Sequence, residues 1–244
     1  MSIELKKEFD QYVDNFDKED FNILRKYHHS YRVMKNAMDL ATNIEEYQDN
    51  IDVVEVAGLL HDYGRFPQLE MYHTLSDLKS IDHADLGVKL LFEQGDIKKF
   101  YNEEKDYSKI QKAIKYHNKY RVPDSLSKQD KVLCNIIRDA DKIDILFQFV
   151  IGENIIRGFD GIIPEEYKCA FEEERLVKLT EISDSNNILF HLAFVFDITF
   201  PYSLKVIKKR KIIPNIYEKI KDKEMYKPYF DKIERYIEKR LIEC

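Results

Sequence analysis

Glycine and proline are scarce in this chain, seven and six among 244 residues. A sequence so poor in the residues that turn the backbone and break helices is expected to be mostly helical. Cysteine is scarcer. Cys134, Cys169 and Cys244 are odd in number, widely spaced and without a C-x-x-C pair, which fits neither a disulfide framework nor a zinc ribbon and points to a reducing cytoplasm. Long apolar runs are also missing. The longest, ILFHLAFVFDITF at 188–200, contains His191 and Asp197 and falls short of the roughly 20 residues needed to span a bilayer, so it reads as a buried helix and no membrane association is expected. The first residues, MSIELKKEFDQYVDN, are charged throughout and lack the apolar stretch and cleavage site of a secretory signal; the mature protein is expected to begin near Met1. Excess positive charge is absent too: a net charge of −6 argues against non-specific nucleic-acid binding. A small anionic substrate stays possible, because a metal site can reverse the charge locally.

What the sequence does hold is helix after helix. A hydrophobic share of 44% with 34% charged residues is that of a soluble globular protein. The length suits one large domain, with two smaller ones as the alternative. No repeat, low-complexity segment or linker marks a boundary, so residues 1–244 are read as a single compact all-α bundle. Asp20 is placed to cap FNILRKYHHSYRVMKNAMDLAT, Asp52 to cap VVEVAGLLHDYG and Gly64 to end that helix. Ser80 precedes IDHADLGVKLLF, Asp106 or Ser108 precedes KIQKAIKYHNKY, and Ser127 precedes KQDKVLCNIIRDADKIDILFQFV. Ile110, Ala113, Ile114 and His117 follow the i, i+3, i+4, i+7 spacing of an inward stripe. Pro164 stands where a first-turn proline belongs, and Phe230, Ile233, Ile237 and Leu241 repeat at helical spacing in the tail.

The polar residues on those inward faces carry the information. His29, the His61–Asp62 pair, His83, His117 and Asp141 each sit beside apolar helical residues, over five successive helices. Buried charge without a partner costs several kcal/mol, so such groups are expected to be paired or to hold a metal. A lone histidine on an apolar face is more often a satisfied core residue, and His191 is read that way. His61 and Asp62 differ, because neighbours on a helix point about 100° apart and reach one centre only near a helix end, which Gly64 supplies.

At these residues the sequence resembles a known family. HHSYRV, GLLHDYGRF, SIDHADLGVKLLF, IKYHNKY and RDADKIDIL, spread over residues 29–145, look like the successive signatures of the HD-domain superfamily of metal-dependent phosphohydrolases. His29 rather than His28 fits the first pattern, His61 and Asp62 the defining pair, and Asp141 the last aspartate, with Asp139 its rival. His83 and His117 match the extra histidines of members that hold two metals. The resemblance thus implies two divalent transition-metal ions, with Asp62 bridging, His29, His61 and Asp141 on one and His83 and His117 on the other. Asn118, where some members have a histidine or glutamate, leaves a third metal unexpected.

Imidazole and carboxylate donors without thiolate suit Mn, Fe, Co, Ni or Zn and do not choose among them. The implied chemistry is cleavage of a phosphate mono- or diester of a nucleotide or other small phosphorylated metabolite by a metal-activated water. Arg65 and Lys142 follow the ligands closely enough to meet phosphate oxygens; a helix-end charge facing solvent is the alternative for both. Two other functions use the same residues: a mixed-valence di-iron centre that activates O₂, as in some oxygenases of the superfamily, and a non-catalytic module that binds metal or nucleotide. A single Glu-x-x-His, Glu70 to His73, is half of what a ferritin-like di-iron bundle needs. The basic run at 205–213 reads as a solvated helix face, and Tyr63 and Phe66 as core. Residues 150–244 carry no signature and are expected to complete the bundle and shape the pocket.

Overall fold

A computed structural model describes residues 3–48, 50–178 and 187–243; Cys244 lies outside them. The all-α expectation holds: among the described residues there is no β-strand, only an isolated bridge between Arg157 and Asn187. No helix among them is long and apolar enough to cross a membrane. The chain divides into two compact units, Met1–Asp141 and Lys142–Cys244.

The first unit contains α1 (Ile3–Val13), α2 (Phe21–Thr42), α3 (Ile51–Leu60), α4 (Arg65–Tyr72), α5 (His83–Val88), α6 (Tyr107–Tyr116) and the first part of α7 (Lys128–Ile151). Asp20 caps α2 as expected, accepting the Asn22 amide at 2.7 Å. Ser127 does the same for α7, accepting the Asp130 amide at 3.1 Å. Two other caps fall elsewhere. Asp52 lies inside the first turn of α3, where it accepts the Tyr101 hydroxyl at 2.7 Å and its charge suits the helix N-terminus. Asp82, not Ser80, caps α5, because its carboxylate reaches the Ala84 and Asp85 amides. A π-helical turn, Lys89–Glu93, replaces the regular helix expected there.

α3 is buried almost all round and packs along α2. Gly58 makes that approach possible: a Cβ there would stand 2.9 Å from the Met34 Cα of α2. Tyr63 and Phe66 are core residues, with Tyr63 stacked on Tyr12 at a ring separation of 3.9 Å.

The second unit holds α8 (Glu165–Glu172), α9 (Ile188–Leu192), α10 (Pro201–Lys209), α11 (Ile212–Glu218) and α12 (Lys223–Ile242). Pro164 stands just before α8 rather than in its first turn. The apolar run at 188–200 does not form one helix. It is split into α9, a 3₁₀ segment Ala193–Asp197 and extended chain. Phe230, Ile233 and Ile237 of α12 are buried, Leu241 only partly. Lys205, Lys208, Lys209 and Arg210 of the basic run are exposed while Val206 and Ile207 are buried, the amphipathic face expected.

Candidate metal centre

The site is built around the turn after α3. That helix stops at Leu60, and residues 61–64 leave its path before α4 begins. The break lets the adjacent His61 and Asp62 side chains meet, with Nε2 and Oδ2 3.4 Å apart. Gly64 stands past the end of that helix, as expected, but its φ is −71°, so what requires a glycine here is not a left-handed turn. A Cβ on Gly64 would lie 2.1 Å from the His83 carbonyl oxygen and 2.7 Å from the Gly87 amide nitrogen. The bare glycine therefore admits α5, and α5 brings His83.

The imidazoles of His61, His83 and His117 are each oriented by a bond on the far nitrogen. His61 and His117 stand just beyond the ends of α3 and α6, and each donates Nδ1–H to the carbonyl three residues back, Gly58 at 2.8 Å and Ile114 at 2.7 Å. His83 donates Nδ1–H to Asp77, at 2.8 Å to Oδ2 and 3.0 Å to Oδ1. With Nδ1 donating outward, each Nε2 is turned inward, the orientation a metal-ligating imidazole needs.

Those nitrogens and two carboxylates converge. Oδ2 of Asp62 lies 3.3 Å from His29 Nε2, and Asp141 Oδ1 lies 3.1 Å from the same nitrogen and 3.8 Å from His61 Nε2. The other Asp62 oxygen, Oδ1, is 3.2 Å from His83 Nε2 and 3.6 Å from His117 Nε2. His29, His61, Asp62, His83 and His117 are buried, and their ligand atoms fall within 4.8 Å of one another in overlapping groups that could hold metal. The His83 and His117 Nε2 atoms are 2.9 Å apart. Two lone-pair nitrogens so close, beside an anionic carboxylate, make a donor set that fits a cation.

The electrostatics agree. Burial would raise the Asp62 carboxyl, but the Lys26 ammonium at 2.7 Å and the neighbouring His61 outweigh it and hold the group well below the usual carboxylate range. Asp141 is held low in the same way, its burial overcome chiefly by His29. Burial pushes the His117 imidazole down to about 4, with His83 and His61 adding to the shift. Ionised carboxylates beside a neutral imidazole are the forms that bind metal at neutral pH.

All six residues singled out as ligands in the sequence, His29, His61, Asp62, His83, His117 and Asp141, are thus brought together. His28 is exposed, and neither it nor Asp139, two positions before Asp141, belongs to the histidine–carboxylate groups among the described residues. Asn118 donates to Asp77 and Asp82. Arg65 lies beside the cluster, its Nε 3.7 Å from Asp62 Oδ1, but its Nη1 is engaged by Asp77, Gln68 and the Leu75 carbonyl. Lys142 belongs to the second unit and is paired there with Asp197 at 2.9 Å. Glu70 and His73 are exposed.

Sequence reading missed Lys26, Asp77 and Gln68. Lys26 was within reach of it, lying three residues before His29 on the same helix face. Asp77 sits in a short 3₁₀ turn, Asp77–Lys79, with no periodicity to mark it.

An all-α unit with a buried histidine–aspartate cluster able to hold divalent metal is the class that fold and site define. Residues 27–146 match the family model of the HD domain. Over these residues the chain carries an HD domain, a domain whose family is mostly metal-dependent phosphohydrolases. Comparisons with curated proteins and with solved structures gave no significant match.

Proposed function

We propose that this protein is a hydrolase that holds two divalent transition-metal ions and cleaves a phosphate ester of a nucleotide or another small phosphorylated metabolite. The observation that carries the reading is the division of the Asp62 carboxylate. One oxygen faces His29 and, across them, His61 and Asp141, while the other faces His83 and His117. Asp62 would bridge, His29, His61 and Asp141 would complete one set, and His83 and His117 the other. When bound, such a pair of ions supplies Lewis acidity and lowers the pKa of water towards neutrality.

The remaining residues provide for an anion. The Lys26 ammonium is largely buried beside Asp62, and Arg65 Nε is buried without a hydrogen-bond partner 3.7 Å from Asp62 Oδ1. Two cations at the edge of an otherwise acidic cluster suit the non-bridging oxygens of a phosphate. Lys142, which pairs with Asp197 in the second unit, is not needed for this reading. The test is a panel of nucleotide and sugar phosphate mono- and diesters, assayed with Mn²⁺, Co²⁺, Ni²⁺, Fe²⁺ or Zn²⁺ added to chelator-treated protein. Metal-dependent phosphate release from a subset supports the proposal. Metal uptake with no hydrolysis of any ester overturns it, and O₂ consumption by the iron-loaded protein would then assign the site to oxygenation.

A further inference from the structure

The two halves of the cluster are not equally equipped. The half at Asp62 Oδ2 has a second carboxylate of its own, Asp141, whereas among the described residues the half at Oδ1 is faced by the imidazoles of His83 and His117. What the second half has instead is Asp77, placed behind His83. Both Asp77 oxygens are surrounded by donors: Arg65 Nη1 at 2.7 Å, Gln68 Nε2 at 2.9 Å and His83 Nδ1 at 3.0 Å on Oδ1, with His83 Nδ1 at 2.8 Å and Asn118 Nδ2 at 3.2 Å on Oδ2. Gln68 is itself fully buried, and its amide is fixed in this orientation by the Ile81 carbonyl at 2.8 Å.

We propose that Asp77 is a positioning residue that sets the affinity of the His83–His117 half for the second ion, so that the two ions bind unequally. The inference rests on the two-metal reading above. Only a group that accepts on both oxygens satisfies all four neighbours. Its negative charge also strengthens the Nδ1–H bond and raises the basicity of His83 Nε2, as a carboxylate behind a ligating histidine does. An amide at this position would turn an NH₂ towards donors whichever way it lay. Facing His83, that NH₂ would favour the tautomer with Nε2–H, which cannot ligate.

The experiment is a Mn²⁺ titration of chelator-treated wild type, Asp77→Asn and, as control, Asp130→Asn, which breaks the ion pair of the buried Asp130 with the half-buried Lys112, outside the cluster. It is followed by the visible spectrum of the Co²⁺ forms. Wild type is expected to take up two ions. Asp77→Asn should keep the tighter affinity and lose roughly 10- to 100-fold in the weaker one, with a changed Co²⁺ spectrum only for the second equivalent. The control should match wild type in both affinities. Equal affinities in Asp77→Asn and wild type, or a parallel loss at both sites, would overturn the inference while leaving the metal reading intact. Fewer than two ions on wild type would overturn the metal reading and this inference with it. Should Asp77→Asn fail to fold, Asp77→Ser, uncharged but still an acceptor, is read by the same criteria.

Discussion

The two units contain similar helices around different interiors. In the first, four histidines and several carboxylates are buried together with Gln68, Arg138 and the largely buried Lys26; in the second, Lys142, Asp144 and Gln148 are buried without any buried histidine among the described residues, and the core is mainly isoleucine, leucine and phenylalanine. His61 and His191 show the difference in one residue type. Both donate Nδ1–H to a backbone carbonyl, Gly58 at 2.8 Å and Asn187 at 3.1 Å. The His61 Nε2 then meets other imidazoles and carboxylates, whereas the His191 ring packs among Phe149, Phe190 and Phe194 at 5.0 to 5.5 Å. The same side chain is a candidate ligand in one setting and a packing element in the other, so its surroundings, not its identity, decide what it does.

The largest effect that would break this contrast is expected at Asp62. Asp62→Ala removes an oxygen from each half of the cluster, and bound metal and phosphate release should both fall by more than the roughly 100-fold that loss of an outer partner costs. Metal analysis together with the phosphatase assay reads this. Gly64→Ala comes next. Its Cβ would meet the backbone of α5 at 2.1 Å, which should cost about 3 kcal/mol or more in thermal unfolding and displace His83, so that metal affinity falls as well.

Acid should act on the first unit in the metal-free protein. His117 has a folded-state pKa of about 4, below the ordinary 6.5 it regains on unfolding. The folded form therefore binds fewer protons between these values. The stability this contributes is complete above 6.5 and is lost as the pH falls towards 4, amounting to about 2 kcal/mol by roughly pH 4.5. Thermal melts of chelator-treated protein across that range would show it, and bound metal should shift the loss to lower pH. The smallest effect is expected in the second unit. His191→Ala should cost about 1 kcal/mol of aromatic packing and leave metal content unchanged.

The contrast between the units also explains what could be read from the sequence. His29, His61, Asp62, His83, His117 and Asp141 were visible because polar residues stand out on apolar helical stripes, and burial of such groups demands a partner. Helix caps were less legible. Asp52 and Asp82 show why, since several short polar side chains lie near each helix start and only backbone geometry selects one. Asp77 was invisible because it acts from a turn, through contacts with Arg65, Gln68 and Asn118 that no spacing rule encodes. What requires a glycine at Gly64 was hidden for a related reason. The demand on it comes from α5, about 20 residues further on, and not from its own φ. Arg65 and Lys142 were judged from sequence adjacency alone, which reveals nothing of the carboxylates, Asp77 and Asp197, that engage them.

The central claim is that Asp62 joins two ion sites. Its most direct test is the metal content of wild type and Asp62→Ala after equilibration with Mn²⁺ and removal of free ion. The account predicts two ions per chain in the wild type and essentially none in the variant. Full metal content in Asp62→Ala would contradict it.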